Sequence, residues 1–187
     1  RAIASGQTEV AHRYENVTVL QADLSGFTPL SATKSPEELL SLMSDLFSLF
    51  DEIAEQHGVH KLKTIGDAYV ACAGAFGEGD GGGAFGDAGG PAADPKKAAR
   101  RTARMGLAMA QAVAKVAADQ GIKVTARIGI HTGMVIGGII GTVRFHFDMW
   151  GDGVRGAMHL EELGQAQRVH ASNTTAALLG SAFEVVH

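Results

Sequence analysis

Val17-Thr18-Val19-Leu20-Gln21-Ala22-Asp23-Leu24-Ser25-Gly26-Phe27-Thr28 is an apolar, β-branched run that ends in a polar turn. The run predicts a β-strand, and Asp23 lies where that strand ends. A second run with β-branched or apolar positions, residues 59–65, precedes Gly66-Asp67, so Asp67 lies at the tip of a predicted hairpin. If the two strands are neighbours, the two carboxylates converge and form a candidate metal site.

Helix signals lie on both sides of this hairpin. Ser35-Pro36-Glu37-Glu38 is a capping box with proline at the first helical position, and apolar residues then recur at three- and four-residue spacing as far as Gly58. Asp94-Pro95 caps a second helix, residues 96–120, which Gly121 ends. The sequence therefore predicts two long helices with the hairpin between them.

Further strands and helices complete the predicted order. They are the second hairpin strand (68–73), strands at 123–131, 134–137 and 143–148 with a turn at Thr132-Gly133, a helix at 152–163, a strand at 168–171, a short helix capped by Ser172, and a strand at 183–186. This order predicts an α+β fold of the split βαβ, ferredoxin-like kind, in which helices pack on one face of a mostly antiparallel sheet.

The composition fits one globular enzyme domain. Of the 187 residues, 45% are hydrophobic and 19% are charged, and the net charge of −4 gives no reason to expect a nucleic-acid partner. The one cysteine, Cys72, lies in an apolar run and cannot form an internal disulfide, which favours a buried residue in a reducing compartment. No apolar stretch approaches the ~20 residues of a membrane span, so we expect no membrane contact by this domain itself.

Two segments stand apart from the predicted core. We expect residues 1–187 to form a single domain, with residues 1–16 as a linker from an upstream region. Residues 74–95 include nine glycines and almost nothing that could pack in a core, which predicts a flexible surface insertion. A glycine-rich loop can also cradle phosphate, but the compact glycine spacing and the Lys-Ser/Thr pair of a P-loop are absent.

The backbone after Asp23 strengthens the metal hypothesis. Aspartate also favours turns, so two carboxylates alone are equally consistent with ordinary hairpin tips. The segment 24–28 leaves its strand through Ser-Gly, so several N–H groups can point outward together and bind an anion. A divalent cation between carboxylate and phosphate reconciles the acidic residue with the anion site, and Mg²⁺ prefers one or two carboxylates plus phosphate oxygens.

Five motifs together carry a resemblance to a known family. In chain order they are Asp23-Leu24-Ser25-Gly26-Phe27-Thr28, Lys63-Thr64-Ile65-Gly66-Asp67-Ala68-Tyr69, Arg127-Ile128-Gly129-Ile130-His131-Thr132-Gly133, Gly137-Gly138-Ile139-Ile140-Gly141 and Phe147-Asp148-Met149-Trp150-Gly151-Asp152. They resemble the consecutive motifs of class III nucleotide cyclase catalytic domains, over residues 17–186 apart from the 74–95 insertion. The resemblance implies the class III cyclase fold.

The resemblance also implies a site shared between two domains that pair head to tail, as a homodimer or a heterodimer. There a nucleoside triphosphate is converted to a cyclic nucleotide and pyrophosphate with two Mg²⁺ or Mn²⁺ ions. Asp23 and Asp67 match the metal ligands, and the Leu24 carbonyl would complete one metal site. With the chain starting at Arg1 rather than at a methionine, we expect a cytoplasmic domain of a larger membrane-bound or multidomain signalling protein.

Phosphate contacts follow from the same resemblance. The amides of Ser25, Gly26, Phe27 and Thr28 would hold the phosphates. Arg127 matches the family arginine that contacts the terminal phosphates. The alternative is an exposed strand arginine without that contact.

Lys63 and Asp148 occupy the two positions that select the base in this family. Lysine donates hydrogen bonds only and ionised aspartate accepts only, a pair suited to the N1 acceptor and amino donor of adenine. Guanine-using relatives usually carry Glu and Cys or a similar small residue there, so the resemblance implies ATP, with a guanylyl cyclase as the alternative. In another alternative, Lys63 and Asp148 form a salt bridge and contact no base.

Arg155 and His159 depart from the family pattern. Active homodimeric cyclases carry an Asn and, four residues later, an Arg at these positions, where they orient the ribose and stabilise charge on the phosphate under attack. Histidine is shorter and mostly neutral at pH 7, since its ordinary pKa is ~6.5. Loss of such a charge from a transition-state contact costs ~3–4 kcal/mol.

This departure resembles the metal-holding first half of heterodimeric adenylyl cyclases, whose second half supplies the Asn and the Arg. We therefore expect a domain that makes cyclic AMP together with a complementary partner. In such a half, Lys63 and Asp148 would line a second, non-catalytic pocket. One alternative is a weakly active homodimer in which Arg155 supplies the missing charge from one turn earlier. Another is a catalytically impaired pseudo-cyclase that regulates by dimerising, against which the retained Asp23 and Asp67 argue.

Overall fold

The computed structural model of the protein describes residues 10–76, 94–141 and 146–186. Its elements, in chain order, are β1 (Val10–Ser25), α1 (Phe27–Ser31), α2 (Pro36–His57), β2 (His60–Ile65), β3 (Ala68–Ala73), α3 (Pro95–Gln120), β4 (Thr125–Ile140), β5 (His146–Trp150), α4 (Asp152–Glu162), β6 (Arg168–Ala171), α5 (Asn173–Leu179) and a 3-10 turn (Gly180–Ala182).

A six-stranded sheet organises these elements, with the strand order β2-β3-β1-β4-β5 and with β6 paired to β4. Among the described strand pairs, only β4–β6 is parallel. β4 pairs with β6 along residues 127–130 and with β5 along residues 136–140, so two short strands share one edge of a long one. The α+β class and the adjacency of β1 and β3 are confirmed.

Helices cover both faces of the sheet. Side chains alternate along β1, so each face has its own apolar residues to bury. Leu20 and its even-numbered neighbours pack with α2 and α3 in the larger core. Val17 and Val19 pack on the opposite face with Ala157 of α4. Helices therefore lie on two faces rather than on one as predicted. Gly129 in β4 permits this, since a Cβ there would overlap the backbone of α4.

The helix ends follow the local signals in the sequence. Ser35 Oγ accepts from the Glu38 amide (3.2 Å), and Glu38 Oε2 accepts from the Ser35 amide (2.8 Å), so the capping box is confirmed. The Asp94 side chain accepts from the backbone N–H of Lys96 (2.9 Å) at the start of α3. α2 and α3 both end at a left-handed glycine, as predicted.

The predicted turn at Thr132-Gly133 is wrong, because β4 runs through it without interruption. Both residues pair with β1, Thr132 opposite Thr18 and Gly133 opposite Val17. The sixteen-residue partner strand holds β4 extended, and this long-range pairing outweighs the local preference of Thr-Gly for a turn. The predicted strand at 183–186 does not form either.

Strand boundaries near the predicted linker and insertion also differ from expectation. β1 begins at Val10, inside the segment expected to be linker, because its first residues pair with the far end of β4. Residues 77–93 of the expected insertion lie outside the described residues. Phe76, just before them, packs edge-on against His60 with ring centroids 4.9 Å apart. The start of the predicted insertion therefore contributes to packing.

The end of β5 is tied directly to α4. Gly151 alone separates Trp150, the last residue of β5, from Asp152, the first residue of α4. Its φ of 117° lies in a region that side-chain-bearing residues rarely adopt. Among the described helices, none combines the length and apolar character required to cross a membrane.

The close approach of α4 to β4 gives a test of the fold. We expect Gly129→Ala to destabilise the domain by about 1–3 kcal/mol or more, because the new methyl meets helix backbone that cannot rotate away. Urea unfolding measures the loss. Gly66→Ala is the matched control, since its Cβ would enter open space and carry only the cost of positive φ, ~1 kcal/mol. Equal losses in the two variants would contradict the packing of α4 on β4.

Candidate active site

Asp23 and Asp67 lie at the same end of the sheet. Asp23, near the end of β1, is paired in register with Ala68 of β3 on one side and Arg127 of β4 on the other. Asp67 immediately precedes Ala68 in the turn between β2 and β3. The negative charge of Asp67 raises the pKa of Asp23, so the two carboxylates lie close enough to interact, as the sequence predicts.

The surroundings of Asp23 favour its protonated form. Burial is the largest cause of its raised pKa, followed by the negative charges of Asp67 and Glu161, while the Arg127 guanidinium acts in the opposite direction. An excess of negative charge at a partly buried carboxylate is stabilised by a bound cation. The site therefore has the electrostatic character of a divalent metal site.

Few of the described side chains at this end of the sheet could bind a metal. Within the described ranges, no three side chains among His, Cys, Asp and Glu gather into a metal-binding group. The donors at this end are the carboxylates of Asp23 and Asp67, beside Leu24, whose side chain is buried in the core. Two carboxylates fit Mg²⁺ or Mn²⁺ when substrate phosphate oxygens supply the remaining ligands.

Glu161 joins the site without having been predicted as part of it. Its side chain is 5% exposed, and its Oε1 accepts from Arg127 Nε at 2.9 Å. A terminal nitrogen of Arg127 donates to Asp23 Oδ2 at 3.0 Å. The sequence held one signal for this residue, because Glu161 lies four positions after Ala157 on the buried face of α4, where a lone acid requires a partner.

The predicted phosphate-binding turn forms the start of α1. Gly26 has a φ of 91° at the N-cap, and a Cβ there would overlap the Lys123 carbonyl, so only glycine fits. Phe27 and Thr28 form the first turn of α1, where backbone N–H groups lack partners within the helix. The Ser25 hydroxyl is buried and has no hydrogen-bond partner among the described residues, an orphaned donor adjacent to this turn.

Lys63 and Asp148 are paired with each other. Lys63 Nζ lies 2.6 and 2.7 Å from the two carboxylate oxygens of Asp148, and Asp148 also accepts from the Met149 amide at 2.8 Å. The register of β2 shifts between Lys61 and Lys63, which directs Lys63 toward β5. In this single chain, Lys63 and Asp148 therefore form a salt bridge.

Arg155 and His159 are not brought to the carboxylates. Their side chains are 78% and 67% exposed on the outer face of α4. The ion pairs of both residues are within their own helix, Arg155 with Asp152 at 3.6 Å and His159 with Glu162 at 3.8 Å. Chemistry that uses Arg155 or His159 together with Asp23 and Asp67 would therefore require a second chain or a second copy.

The sequence of this chain is similar to those of known nucleotide cyclases. The family described as the adenylate and guanylate cyclase catalytic domain matches residues 9–187. A membrane guanylyl cyclase of Dictyostelium discoideum is 32% identical over 98% of this chain and 11% of its own length. Adenylate cyclase type 9 of Gallus gallus is 37% identical over 91% of this chain and 12% of its own length. The chain thus spans little more than a tenth of either relative.

A solved structure has the same fold. The catalytic core of a rhodopsin-guanylyl cyclase with converted specificity, in complex with ATPalphaS, superimposes with a TM-score of 0.78 at 29% identity. The match covers 93% of this chain and 86% of that chain. The described sheet and helices therefore form most of a cyclase catalytic core.

The electrostatics of Asp23 give a second prediction. Because its pKa is raised in the folded state, its contribution to stability is present at low pH and is lost as pH rises through the folded pKa. Asp67→Asn removes a facing negative charge and moves the pKa of Asp23 back toward its ordinary value. We expect the metal-free wild-type domain to lose stability relative to this variant as pH rises from about 4 to 7.

Urea unfolding of both metal-free proteins across that range measures the difference. Asp119→Asn is the control, because its exposed carboxylate on α3 pairs only with a neighbouring lysine four residues away. If wild type and Asp67→Asn show the same pH dependence, the two carboxylates do not repel each other in the folded domain.

Proposed function

Because the chain belongs to the adenylate and guanylate cyclase catalytic domain family, we propose that it converts ATP to cyclic AMP and pyrophosphate at an interface with a second cyclase domain. The observation that carries the proposal is the convergence of Asp23, near the end of β1, and Asp67, in the turn before the neighbouring strand β3, with the raised pKa of Asp23. A chain without metal chemistry has no physical reason to hold two carboxylates in this mutually unfavourable arrangement.

Asp23, Asp67 and the Leu24 carbonyl would hold two divalent ions, Mg²⁺ or Mn²⁺. When bound, such ions supply a lowered pKa for the ribose 3′-hydroxyl and neutralise charge on the leaving pyrophosphate. The protein's own contribution is to hold Asp23 on β1 and Asp67 in the turn that leads into the adjacent strand β3, so little ordering is required when substrate arrives.

Arg127 would bind the terminal phosphates of the substrate while Glu161 holds the guanidinium in place. Glu161 accepts a hydrogen bond from Arg127 Nε–H, so the terminal nitrogens of Arg127 stay directed toward the end of the sheet where Asp23 lies. A substrate phosphate can replace Asp23 as the acceptor without releasing Arg127 from Glu161. The Ser25 hydroxyl and the first amides of α1 would complete the phosphate contacts.

The Lys63–Asp148 pair supports adenine as the base, with one condition. Lys63 Nζ already donates to both carboxylate oxygens of Asp148, at 2.6 and 2.7 Å. Recognition of N1 and the amino group of adenine therefore requires this salt bridge to open or to share its hydrogen bonds. If the chain is the metal-holding half of a heterodimer, the same pair would line the second, non-catalytic pocket of the interface, and the partner domain would bind the base. A guanylyl cyclase is the alternative that substrate preference decides.

A complementary partner follows from the position of Arg155 and His159. Neither side chain contacts the carboxylates in this chain, and histidine at the arginine position lacks the permanent charge of a guanidinium. We propose that a partner domain carrying the Asn and Arg supplies them across the interface. The greater length of the relatives supports a role as one domain of a larger cytoplasmic or membrane-anchored signalling protein.

Turnover assays test the enzyme proposal. We expect Mn²⁺-dependent conversion of ATP by the wild-type domain mixed with a cyclase domain that carries the Asn-Arg pair, and much weaker activity alone. Asp67→Asn should reduce the mixture's rate by about two to three decades, because a charge aimed at the transition state is lost. Asp119→Asn is the matched carboxylate control and should retain the wild-type rate.

Three other results of the turnover assays would distinguish the alternative functions. An Arg155→Asn/His159→Arg double variant that is active alone shows that the missing pair limits the homodimer. Faster turnover of GTP than of ATP contradicts the adenine assignment and favours the guanylyl cyclase. No turnover in any mixture contradicts the enzyme proposal and favours a pseudo-cyclase that regulates by dimerising.

Metal binding can be tested without activity. Because ions that bind only the folded state stabilise it, Mn²⁺ at about 100 times its dissociation constant should add ~2.7 kcal/mol to the free energy of unfolding. We expect this gain for the wild-type domain and not for the Asp23→Asn/Asp67→Asn variant, as measured by urea unfolding with and without the ion. An equal gain in both proteins would place the metal elsewhere.

A further inference from the structure

A continuous row of side-chain hydrogen bonds connects the core of the sheet to the first turn of α4. Each link joins two polar atoms 2.9 to 3.0 Å apart, and four of the six side chains carry hydroxyls. The row consists of Thr18, Thr132, Thr175, Ser172, His131 and Asp152, in that order. We call its four hydroxyl residues the hydroxyl row.

Asp152 sets the direction of the hydrogen bonds next to it. The pKa of Asp152 is lowered, chiefly by its hydrogen bond with His131, so this carboxylate is ionised and accepts only. His131 must then donate through Nε2–H, since Asp152 Oδ2 lies 3.0 Å from Nε2. In the neutral ring, Nδ1 is left as an acceptor, and Ser172 Oγ donates to it at 2.9 Å.

The hydroxyl row continues the same direction. Ser172 Oγ accepts from the Thr175 amide at 3.2 Å and lies 3.0 Å from the Thr175 hydroxyl, which is free to donate to it. Thr132 then donates to Thr175, and Thr18 donates to Thr132. Every hydroxyl in the row can therefore donate once, so the row is compatible with the Nε2–H tautomer of His131 that Asp152 favours.

The imidazole ring also fixes α4 sterically. A Cβ at Gly156 would overlap the ring of His131, so the ring lies directly against the helix backbone beside Arg155. The His131 side chain is only 14% exposed. The ring therefore contacts α4 at two points, the carboxylate of its first residue and the backbone one turn later, with Asp152 and Arg155 as the charged groups that α4 presents nearby.

We propose that His131, as its neutral Nε2–H tautomer, is a positioning residue that locks the rotation of α4 on β4 and so places Arg155, His159 and Glu161. Its effect on catalysis rests on the proposed function. The lock itself does not, because it depends only on the hydrogen bonds and on the fit at Gly156.

Nitrogen-15 NMR of the ring reads the tautomer directly. At a pH about two units above the ordinary imidazole pKa of ~6.5, we expect His131 of the wild-type chain to carry its proton on Nε2. Asp152→Ala removes the acceptor, so both tautomers should become populated. Glu162→Ala, which removes a similarly exposed carboxylate from the same helix, should leave the Nε2–H form unchanged. A proton on Nδ1 in wild type, or an unchanged tautomer in Asp152→Ala, overturns the proposal.

Two substitutions at the ring distinguish positioning from simple packing. Glutamine keeps a donor for Asp152, whereas leucine keeps apolar volume and no hydrogen bond. Exchange of the Arg155 amide, which donates to the Gly151 carbonyl at 3.1 Å, should accelerate about tenfold in His131→Leu and by less than about twofold in His131→Gln. Turnover with the complementary domain should fall in the same order.

Equal protection of the Arg155 amide in the leucine and glutamine variants overturns the positioning role, whatever the turnover. If the wild-type chain turns over no nucleotide in any mixture, the proposed function fails. In that case, the tautomer and the amide exchange still decide whether His131 locks α4.

Discussion

The antiparallel pairing of β1 with both β3 and β4 is the constraint on which the rest of the molecule depends. It places Asp23 between Ala68 and Arg127, and it thereby fixes which carboxylate and which guanidinium can meet. The same alternation that buries Leu20 under α2 and α3 turns Asp23 toward α4. One pairing register therefore determines both the core and the charged end of the sheet, and a shift of one residue would reverse both.

The charged end is built at some cost to stability. Three carboxylates, those of Asp23, Asp67 and Glu161, surround the single guanidinium of Arg127. Arg127 compensates two of them directly, and the remaining negative charge appears as the raised pKa of Asp23. Sites whose charges are unfavourable until a ligand arrives are typical of functional positions, and the sheet beneath supplies the stability that tolerates them.

Local signals in the sequence were sufficient for much of the fold. The capping box at Ser35, the glycines that end α2 and α3, and the hairpin with Asp67 at its tip all depend on residues within a few positions of each other. Their preferences agree with the final structure, so pattern and propensity predict them correctly. The convergence of Asp23 and Asp67 followed once β1 and β3 were assumed to be neighbours.

What the sequence did not disclose depends on contacts between distant residues. The continuity of β4 through Thr132 comes from pairing with β1, more than a hundred positions away, and no local window contains that information. The bond between Glu161 and Arg127 joins residues 34 positions apart, and the exposure of Arg155 depends on how α4 lies on the sheet. Helix periodicity fixes which residues share a face but not which way that face points.

The single-residue connection at Gly151 joins two polar regions of the molecule. Asp148, which pairs with Lys63, and Asp152, which bonds His131, are only four positions apart along a backbone that passes from strand to helix with no slack. A displacement of Asp148 away from Lys63 would therefore be felt at the first turn of α4. The Lys63–Asp148 pair and the contact of Glu161 with Arg127 are therefore linked through β5, Gly151 and α4.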